Sequence, residues 1–340
     1  MRVGLTYNQK RDEAGEAGEL PSSSLEIQAE WDTPETIAAV AAALGERHEV
    51  VLLEAVEDIY QKLQQARPDI VFNMAEGSFG PCREGHVPSI LEYLGIPYTA
   101  SDPLTLNLCL DKARAKEVLS FHGLPTARFR VVTEKSFSFN SLHYPMLVKP
   151  LFEGSSIGIR NDSLVYTRRE MRDRVCWVLD RFHEPALVEE FLPGREFTVA
   201  ILGNGDEARV LPIVEIRFDS LPPGVNPIYS YEAKWIWDTS AQPLEIFECP
   251  ARLKPELQAE IERICLAAYR LLRCRDWCRI DVRLDAGGRP HILELNPLPG
   301  ILPRPEDNSC FPKAARAAGI SYNELILTVL DCACRRYGMV

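Results

Sequence analysis

The chain has 340 residues, 46% of them hydrophobic, and carries 38 basic against 49 acidic side chains for a net charge of −11. That length can bury two or three packed lobes rather than one small core. An acidic chain without a Lys/Arg block argues against nucleic acid or an anionic membrane as its main partner. The ten cysteines include no Cys-x-x-Cys pair; Cys274 and Cys278 are four apart, Cys332 and Cys334 two apart. They read as reduced, mostly buried thiols rather than a disulfide or zinc framework. Residues 1–7 read as a strand with no basic-then-apolar leader. No apolar run approaches the ~18 residues of a membrane span, so a cytoplasmic protein is expected.

After the first strand comes a long polar segment, 8–31, which is left unassigned because loops of this length are lids, binding loops or disordered. Thr33 then caps a helix with Pro34 at its first position and an apolar face of Ile37, Val40, Ala41 and Leu44. Apolar strands at 48–53 and 69–72 are separated by a helix, and this alternation predicts a parallel sheet with helices on its faces. A helix from 111 to about 121 is stopped by Gly123 and Pro125. Strands are predicted at 129–132 and 145–148, the latter running into Lys149-Pro150, and again at 196–202 and 211–218. A helix over 255–272 aligns Leu257, Ile261, Ile264, Ala268 and Leu271. Strands at 279–284 and 291–295 flank a Gly287-Gly288 turn, and Ser321-x-x-Glu324 is a capping box opening the last helix.

Three groups of residues carry chemistry. Asp281 sits on one strand of that hairpin and Glu294 and Asn296 on the other, where alternation puts the last two on one face. Two carboxylates and an amide oxygen are hard ligands suited to Mg²⁺ bridging phosphates; the same pattern also suits a solvated strand face. Just after Lys149, the run Glu153-Gly154-Ser155-Ser156-Ile157-Gly158 could bring backbone N–H groups to phosphate oxygens, or could be an ordinary turn. Neither a Walker loop nor a dinucleotide fingerprint is present. Lys112 and Lys234 complete a cationic set whose meaning depends on its surroundings, since a lone lysine is usually solvated.

In order, the chain has Asp111-Lys112, Lys149-Pro150 with its 153–158 loop, Glu189 through Glu196, Tyr231-Glu232-Ala233-Lys234, Arg279-Ile280-Asp281 and Glu294-x-Asn296-Pro297-Leu298-Pro299-Gly300. With Leu91-Glu92-Tyr93-Leu94-Gly95-Ile96-Pro97-Tyr98-Thr99, this set resembles the D-alanine–D-alanine ligases of the ATP-grasp superfamily, from about residue 71 to 337. The resemblance implies an α/β (α+β) ATP-grasp fold. An N-terminal parallel α/β domain (1–110) would precede a central lobe (111–192) and a C-terminal lobe with the metal site (193–340). It implies ATP and Mg²⁺, with Mn²⁺ as an alternative, two small-molecule substrates, and a homodimer by analogy. Lys112 and Lys149 would hold the phosphates, with Glu153, Ser155 and Ser156 in the loop that closes over them. Glu189, Glu190 and Leu192 would lie at the adenine end, Glu196 at the ribose, and Lys234 at the γ-phosphate. Asp281, Glu294 and Asn296 would carry Mg²⁺; Arg279 and the Gly300 amide would stabilise the oxyanion. The activity implied is an ADP-forming carboxylate–amine ligation through an acyl phosphate.

Departures fall on the amino-acid pockets. Where the family has His-Gly and then Gly-Glu-Asp-Gly, this chain runs Glu76-Gly77-Ser78-Phe79-Gly80-Pro81-Cys82-Arg83-Glu84-Gly85. Trp235 stands where a tyrosine follows the lid lysine. Pro303, Arg304 and Pro305 lengthen the stretch before Ser309 and Cys310, which fall where the family binds the second substrate's carboxylate. Glu30 and Asp32 are the nearest candidates for an ammonium-binding acid, or are ordinary helix N-terminal acids. The expectation is a kept reaction with changed substrates. The rivals are a genuine D-alanine–D-alanine ligase, an ATP-grasp small-molecule kinase, and a non-catalytic nucleotide-binding module.

Overall fold

The structure is a computed structural model that describes residues 1–11, 28–237 and 244–339, with Trp235 described by its backbone alone. Strands β1 (Arg2–Tyr7), β2 (Glu49–Glu54) and β3 (Ile70–Asn73) form a parallel sheet in the order β2-β1-β3. The connecting helices are α1 (Pro34–Gly45) and α2 (Ile59–Ala66). Thr33 Oγ1 accepts from the Thr36 amide at the start of α1, and Ile37, Val40, Ala43 and Leu44 are buried on the side facing the sheet. Helices α3 (His86–Leu94) and α4 (Pro103–Leu110) lead to α5 (Lys112–Phe121), which Asp111 caps by accepting from the amides of Ala113 and Arg114.

A second sheet is antiparallel: β4 (Phe129–Val132), β5 (Met146–Pro150), β6 (Leu164–Val165) and β7 (Ala186–Glu190), ordered β4-β7-β5-β6 and covered by α6 (Arg168–Phe182). The third comprises β8 (Glu196–Leu202), β9 (Arg209–Val210), β10 (Val214–Ile216), β11 (Phe247–Glu248), β12 (Trp277–Leu284) and β13 (Pro290–Asn296). Helix α7 (Pro255–Leu271) packs on it through Ile261, Ile264 and Ala268. The predicted 211–218 strand shrinks to β10, preceded by the short β9 just outside its bounds, because Pro212 has no amide to donate and the pairing with β8 slips by one residue between β9 and β10. The other expected strands fall within one or two residues of their observed bounds.

The chain ends in α8 (Cys310–Ala317) and α9 (Tyr322–Arg336), the latter opened by the expected Ser321/Glu324 capping box. These helices return to the first sheet. Phe72, Trp277 and Phe311 meet edge to face at centroid spacings of 5.7 Å, joining β3, β12 and α8 in one core. No helix among the described residues is long and apolar enough to cross a membrane.

One buried carboxylate ties three distant segments together. Asp276, with no exposed surface, accepts from the Ala100 amide at 2.8 Å, Asn204 Nδ2 at 2.7 Å and Arg336 Nη2 at 2.7 Å. Removing it leaves the Ala100 amide without its acceptor and the Arg336 guanidinium without its carboxylate, held to the 98–100 segment only by the Tyr98 and Ala100 carbonyls. Asp276→Ala is therefore expected to destabilise the fold by about 3 kcal/mol. A urea midpoint unchanged from the parent's would contradict this.

Candidate active site

Every site residue expected from the sequence lines one cleft between the second and third sheets, apart from Trp235, whose side chain lies outside the described residues. Lys112, the first residue of α5, extends its ammonium to the Glu153 carbonyl at 2.5 Å and lies 3.8 Å from Glu294 Oε2. Lys149 on β5 is 2.7 Å from Glu189 Oε1 on β7, and Lys116 is 3.0 Å from the same residue's Oε2. Burial would push the Glu189 carboxyl up, but the two ammonium groups hold it down to about 2. Its charge is thus met by the two lysines. Glu190 turns to the rim, where its carboxylate meets His143 Nδ1 at 2.8 Å.

The hairpin of β12 and β13 supplies the opposite wall. Asp281 pairs directly with Glu294, and Arg279 with Asn296, just before a bulge between Asp281 and Val282. Arg279 Nη2 lies 3.1 Å from Asp281 Oδ2 and 3.9 Å from Glu294 Oε1. Burial raises the Asp281 carboxyl, with Arg279 opposing and the charge of Glu294 adding to the rise. Glu294 goes the other way: burial is overcome by Lys112, Lys149 and Arg279, which bring it down to about 2. Among the described residues no group of three or more His, Cys, Asp or Glu could hold a metal. What the hairpin offers is two facing carboxylates and an amide. That donor set of hard oxygens on one strand face fits Mg²⁺ once phosphate oxygens share the coordination.

Further along β12, Arg283 continues the alternation of Arg279 and Asp281 into the cleft. Its Nη1 donates to Glu196 Oε2 at 2.5 Å and its Nη2 to the Pro227 carbonyl at 2.8 Å, while the guanidinium stacks over Phe191 at 4.5 Å. Leu192 lines the same end.

Two segments cover the cleft. In the 153–158 loop Ser155 and Ser156 have φ of 50° and 62°, a left-handed pair that only strong surrounding contacts sustain. Ser156 Oγ donates to the Tyr229 carbonyl at 2.8 Å and the Tyr231 amide to Ile159 O at 2.7 Å, so the loop is fastened to the 229–237 segment. That segment ends in a π-helical turn, Glu232–Trp237. Lys234 on this turn is half-buried, and loss of solvent, then the nearby Arg279, bring its ammonium down to about 8.

At the other end lie Glu30, Asp32, Glu76 and Glu84. Burial brings Asp32 up to about 7. Glu84 rises to about 7 by burial, partly offset by Arg83, and Glu76 is raised well above the usual carboxylate range by burial and its acidic neighbours. Arg83, only 6% exposed, is the nearby counter-charge of Glu30, Glu76 and Glu84. It donates to Glu30 Oε2 at 2.8 Å and the Phe152 carbonyl at 3.1 Å, and lies 3.5 Å from Glu153 Oε2. The acidic pocket is thereby fastened to the phosphate-side loop, whose Gly154 rests against the Glu30 carboxylate.

Gly300 is unconfined, since a Cβ there would meet nothing within 4 Å. Ser309 Oγ donates to the Gly300 carbonyl at 3.0 Å and accepts from the Leu302 amide at 3.2 Å, closing its own loop rather than presenting a free hydroxyl. The added residues lean outward, with Arg304 Nε on Glu35 Oε1 at 2.6 Å. Cys310 stays in the cleft, its thiol pushed up to about 12 by burial.

Lys116, Arg83, Glu84 and Arg283 were not singled out in the sequence. Two of them carried a signal: Lys116 follows Lys112 by one helical turn, and Arg283 follows Asp281 by one strand period.

The sequence matches the family model described as D-ala D-ala ligase C-terminus over residues 118–331. It is 36% identical over 288 residues to a D-alanine–D-alanine ligase of Bordetella petrii, covering 84% of this chain and 82% of the relative. The chain belongs to the D-alanine–D-alanine ligase family. It is 36% identical over 316 residues, 90% of each chain, to the uncharacterized protein y4sG of Sinorhizobium fredii. Solved structures of the Bacillus anthracis D-alanine–D-alanine ligase superpose over the whole chain and 99% of theirs. The TM-score is 0.75 at 26% identity for one, and 0.71 at 24% for the one complexed with ATP. The fold is thus that of the ATP-grasp ligases, and the enzyme class an ATP-dependent, ADP-forming ligation that makes a C–N bond.

The contact of Gly154 with Glu30 makes a specific demand on the loop. A Gly154→Val side chain would occupy the space of the Glu30 carboxylate and lift the loop from its seat. ADP release is expected to fall roughly 10–100-fold with the thermal midpoint nearly unchanged, because displacements near 1 Å at reacting groups cost that much. Parental turnover in this variant would show that the seating has no catalytic consequence.

Proposed function

We propose that the protein joins the carboxylate of one amino acid to the amine of another through an acyl phosphate, with a first substrate more cationic than alanine. The convergence of Lys112, Lys149, Lys234, Arg279, Asp281 and Glu294 on one cleft carries the ligase part. Residues 1–110, 111–192 and 193–340 are read as an N-terminal domain and two lobes that enclose ATP, as the ATP-complexed Bacillus anthracis relative suggests.

On this reading, the lysines neutralise the triphosphate, and the 153–158 loop closes over it with Ser155 and Ser156. Leu192 and Glu196 receive the adenosine, Glu196 being oriented by Arg283. Asp281, Glu294 and Asn296 would hold Mg²⁺, which would supply further neutralisation of the phosphate charge. Phosphoryl transfer needs positioning and charge more than covalent help, which suits a site built from fixed cations. The carboxylate attacks the γ-phosphorus and ADP departs; the amine then adds to the acyl carbon and phosphate leaves. Arg279 and the Gly300 amide face the oxyanion formed in that addition, where one preorganised donor typically contributes about 3 kcal/mol. Acyl phosphates hydrolyse, and the fastened loop and 229–237 segment keep water away.

The changed substrate is supported by the acidic pocket. Asp32, Glu76 and Glu84 have their carboxyls raised, and Arg83 is already engaged by Glu30. A substrate bringing a second positive charge would return these groups to the ionised state. ADP release should therefore require both a carboxylate and an amine substrate, and be fastest with a diamino acid as the first. Glu76→Gln should lower kcat/KM for that substrate roughly 10–100-fold, the weight of one charge-assisted contact, while leaving ATP affinity intact. Brisk turnover of D-alanine alone would refute the changed pocket. ADP release with a single co-substrate and a stable phosphorylated product would point to a kinase instead.

The Lys234 ammonium gives a pH signature. With its pKa brought down to about 8, the positive charge is present at pH 7 and lost as pH rises through that value. The kcat/KM for ATP, which reports the free enzyme, should fall between pH 7 and 9. Lys234→Gln should be slow throughout and lack this alkaline limb; an identical limb in that variant would assign it elsewhere.

A further inference from the structure

Lys116 is only 1% exposed and does not line the cleft, yet it makes two charge-assisted contacts. Its ammonium lies 3.0 Å from Glu189 Oε2 and donates to Thr126 Oγ1 at 2.8 Å. The single proton of the Thr126 hydroxyl goes to the Ile292 carbonyl at 2.8 Å, and the Ile292 amide returns a bond to the Pro125 carbonyl at 2.8 Å. Ile292 is on β13, two residues before Glu294. A continuous chain of contacts therefore runs from Lys149 on β5, through Glu189, Lys116 and Thr126, to the strand that bears Glu294.

The charges along this chain matter as much as the contacts. Glu189 is ionised and stands between two ammonium groups. With both lysines present the trio has a net charge of +1. Without Lys116, Lys149 and Glu189 would cancel, and this pair would present no net charge to the triphosphate. Burying an ammonium is costly, and a methionine would fill the same space without that cost. The retained charge needs a reason beyond packing.

We propose that Lys116 is a positioning residue for Lys149. It offsets the charge of Glu189 so that Lys149 keeps its own for the phosphates, and it fixes β5 against β13. This rests on the reading of the cleft as an ATP site.

The test measures ATP affinity by calorimetry in the presence of Mg²⁺, alongside KM for the amino-acid substrates and thermal midpoints. Lys116→Met should weaken ATP binding about tenfold or more with amino-acid KM values little changed, whereas Lys116→Arg should bind nearly as the parent does. The double variant Lys116→Met/Glu189→Gln removes both opposing charges, and should regain most of the affinity that the single variant loses. Should Lys116→Met fail to fold, Lys116→Gln, which can still hydrogen-bond, takes its place with the same expected loss. A parent that binds ATP while the neutral Lys116 variant binds it equally well would overturn this inference alone, as would a double variant no better than the single one. A parent that binds no ATP would overturn the reading of the cleft, and this inference with it.

Discussion

Glu189, held between Lys149 and Lys116, shows the constraint under which the whole cleft is built. Each ionised group there has been taken out of bulk water, and its charge must be met by another within a few ångströms. Lys112 is met by Glu294 and the Glu153 carbonyl, Arg279 by Asp281 and Glu294, Arg283 by Glu196, and Arg83 by Glu30 and Glu153. The partners come from the second and third sheets, from α5 and from the segments around Glu30, Arg83 and Glu153. Phosphate binding and the mutual placement of the sheets are thus one electrostatic problem. A change in any member is felt both as altered affinity and as altered geometry.

The two ends of the cleft are joined by Arg83. One guanidinium reaches the acid that begins the amino-acid pocket and the carbonyl and carboxylate that begin the phosphate-side loop. Gly154 completes the contact by allowing the backbone to lie against Glu30. The loop is also held at its far end by Ser156 on Tyr229 and by Ile159 with Tyr231. Such a cover is set jointly by the amino-acid pocket, the 229–237 segment and Lys112. This is the kind of shared dependence through which filling one pocket can alter the covering of the other.

What could be read from the sequence follows the range of the interactions. Alternation and the hairpin turn were enough to put Asp281 and Glu294 on adjacent strands, but it is a bulge after Asp281, invisible to periodicity, that sets the two face to face. The helix starts at Thr33, Asp111 and Ser321 were legible because capping is local. The 211–218 strand was drawn too long because hydrophobicity was weighed over the missing amide of Pro212. Arg283 and Lys116 obeyed local periodicity but looked like surface residues until their acidic partners, 87 and 73 positions away in Glu196 and Glu189, were brought alongside. Arg83 had no local signal at all. Its partners Glu30 and Glu153 lie on either side of it in the sequence, and only the closure of the fold unites them. Ser309 lines the cleft as expected, but the brace its hydroxyl makes with Gly300 and Leu302 was not legible, because it depends on how the 300–309 loop closes.

The distribution of the departures from the family is itself a physical statement. The lysines, the hairpin carboxylates and Arg279 form a network in which removing one member strands another charge in a poorly solvated cleft, so single changes there are costly. The acidic end is different: Asp32, Glu76 and Glu84 line the cleft with raised carboxyls that can be either neutral or charged. Groups in that condition can exchange a proton for a cationic ligand without disturbing Lys149 or Glu294. A pocket can therefore drift toward a new substrate while the machinery that activates a carboxylate stays fixed. Arg83 marks the boundary between these two regimes, because it compensates the acids on one side and seats the phosphate-side loop on the other.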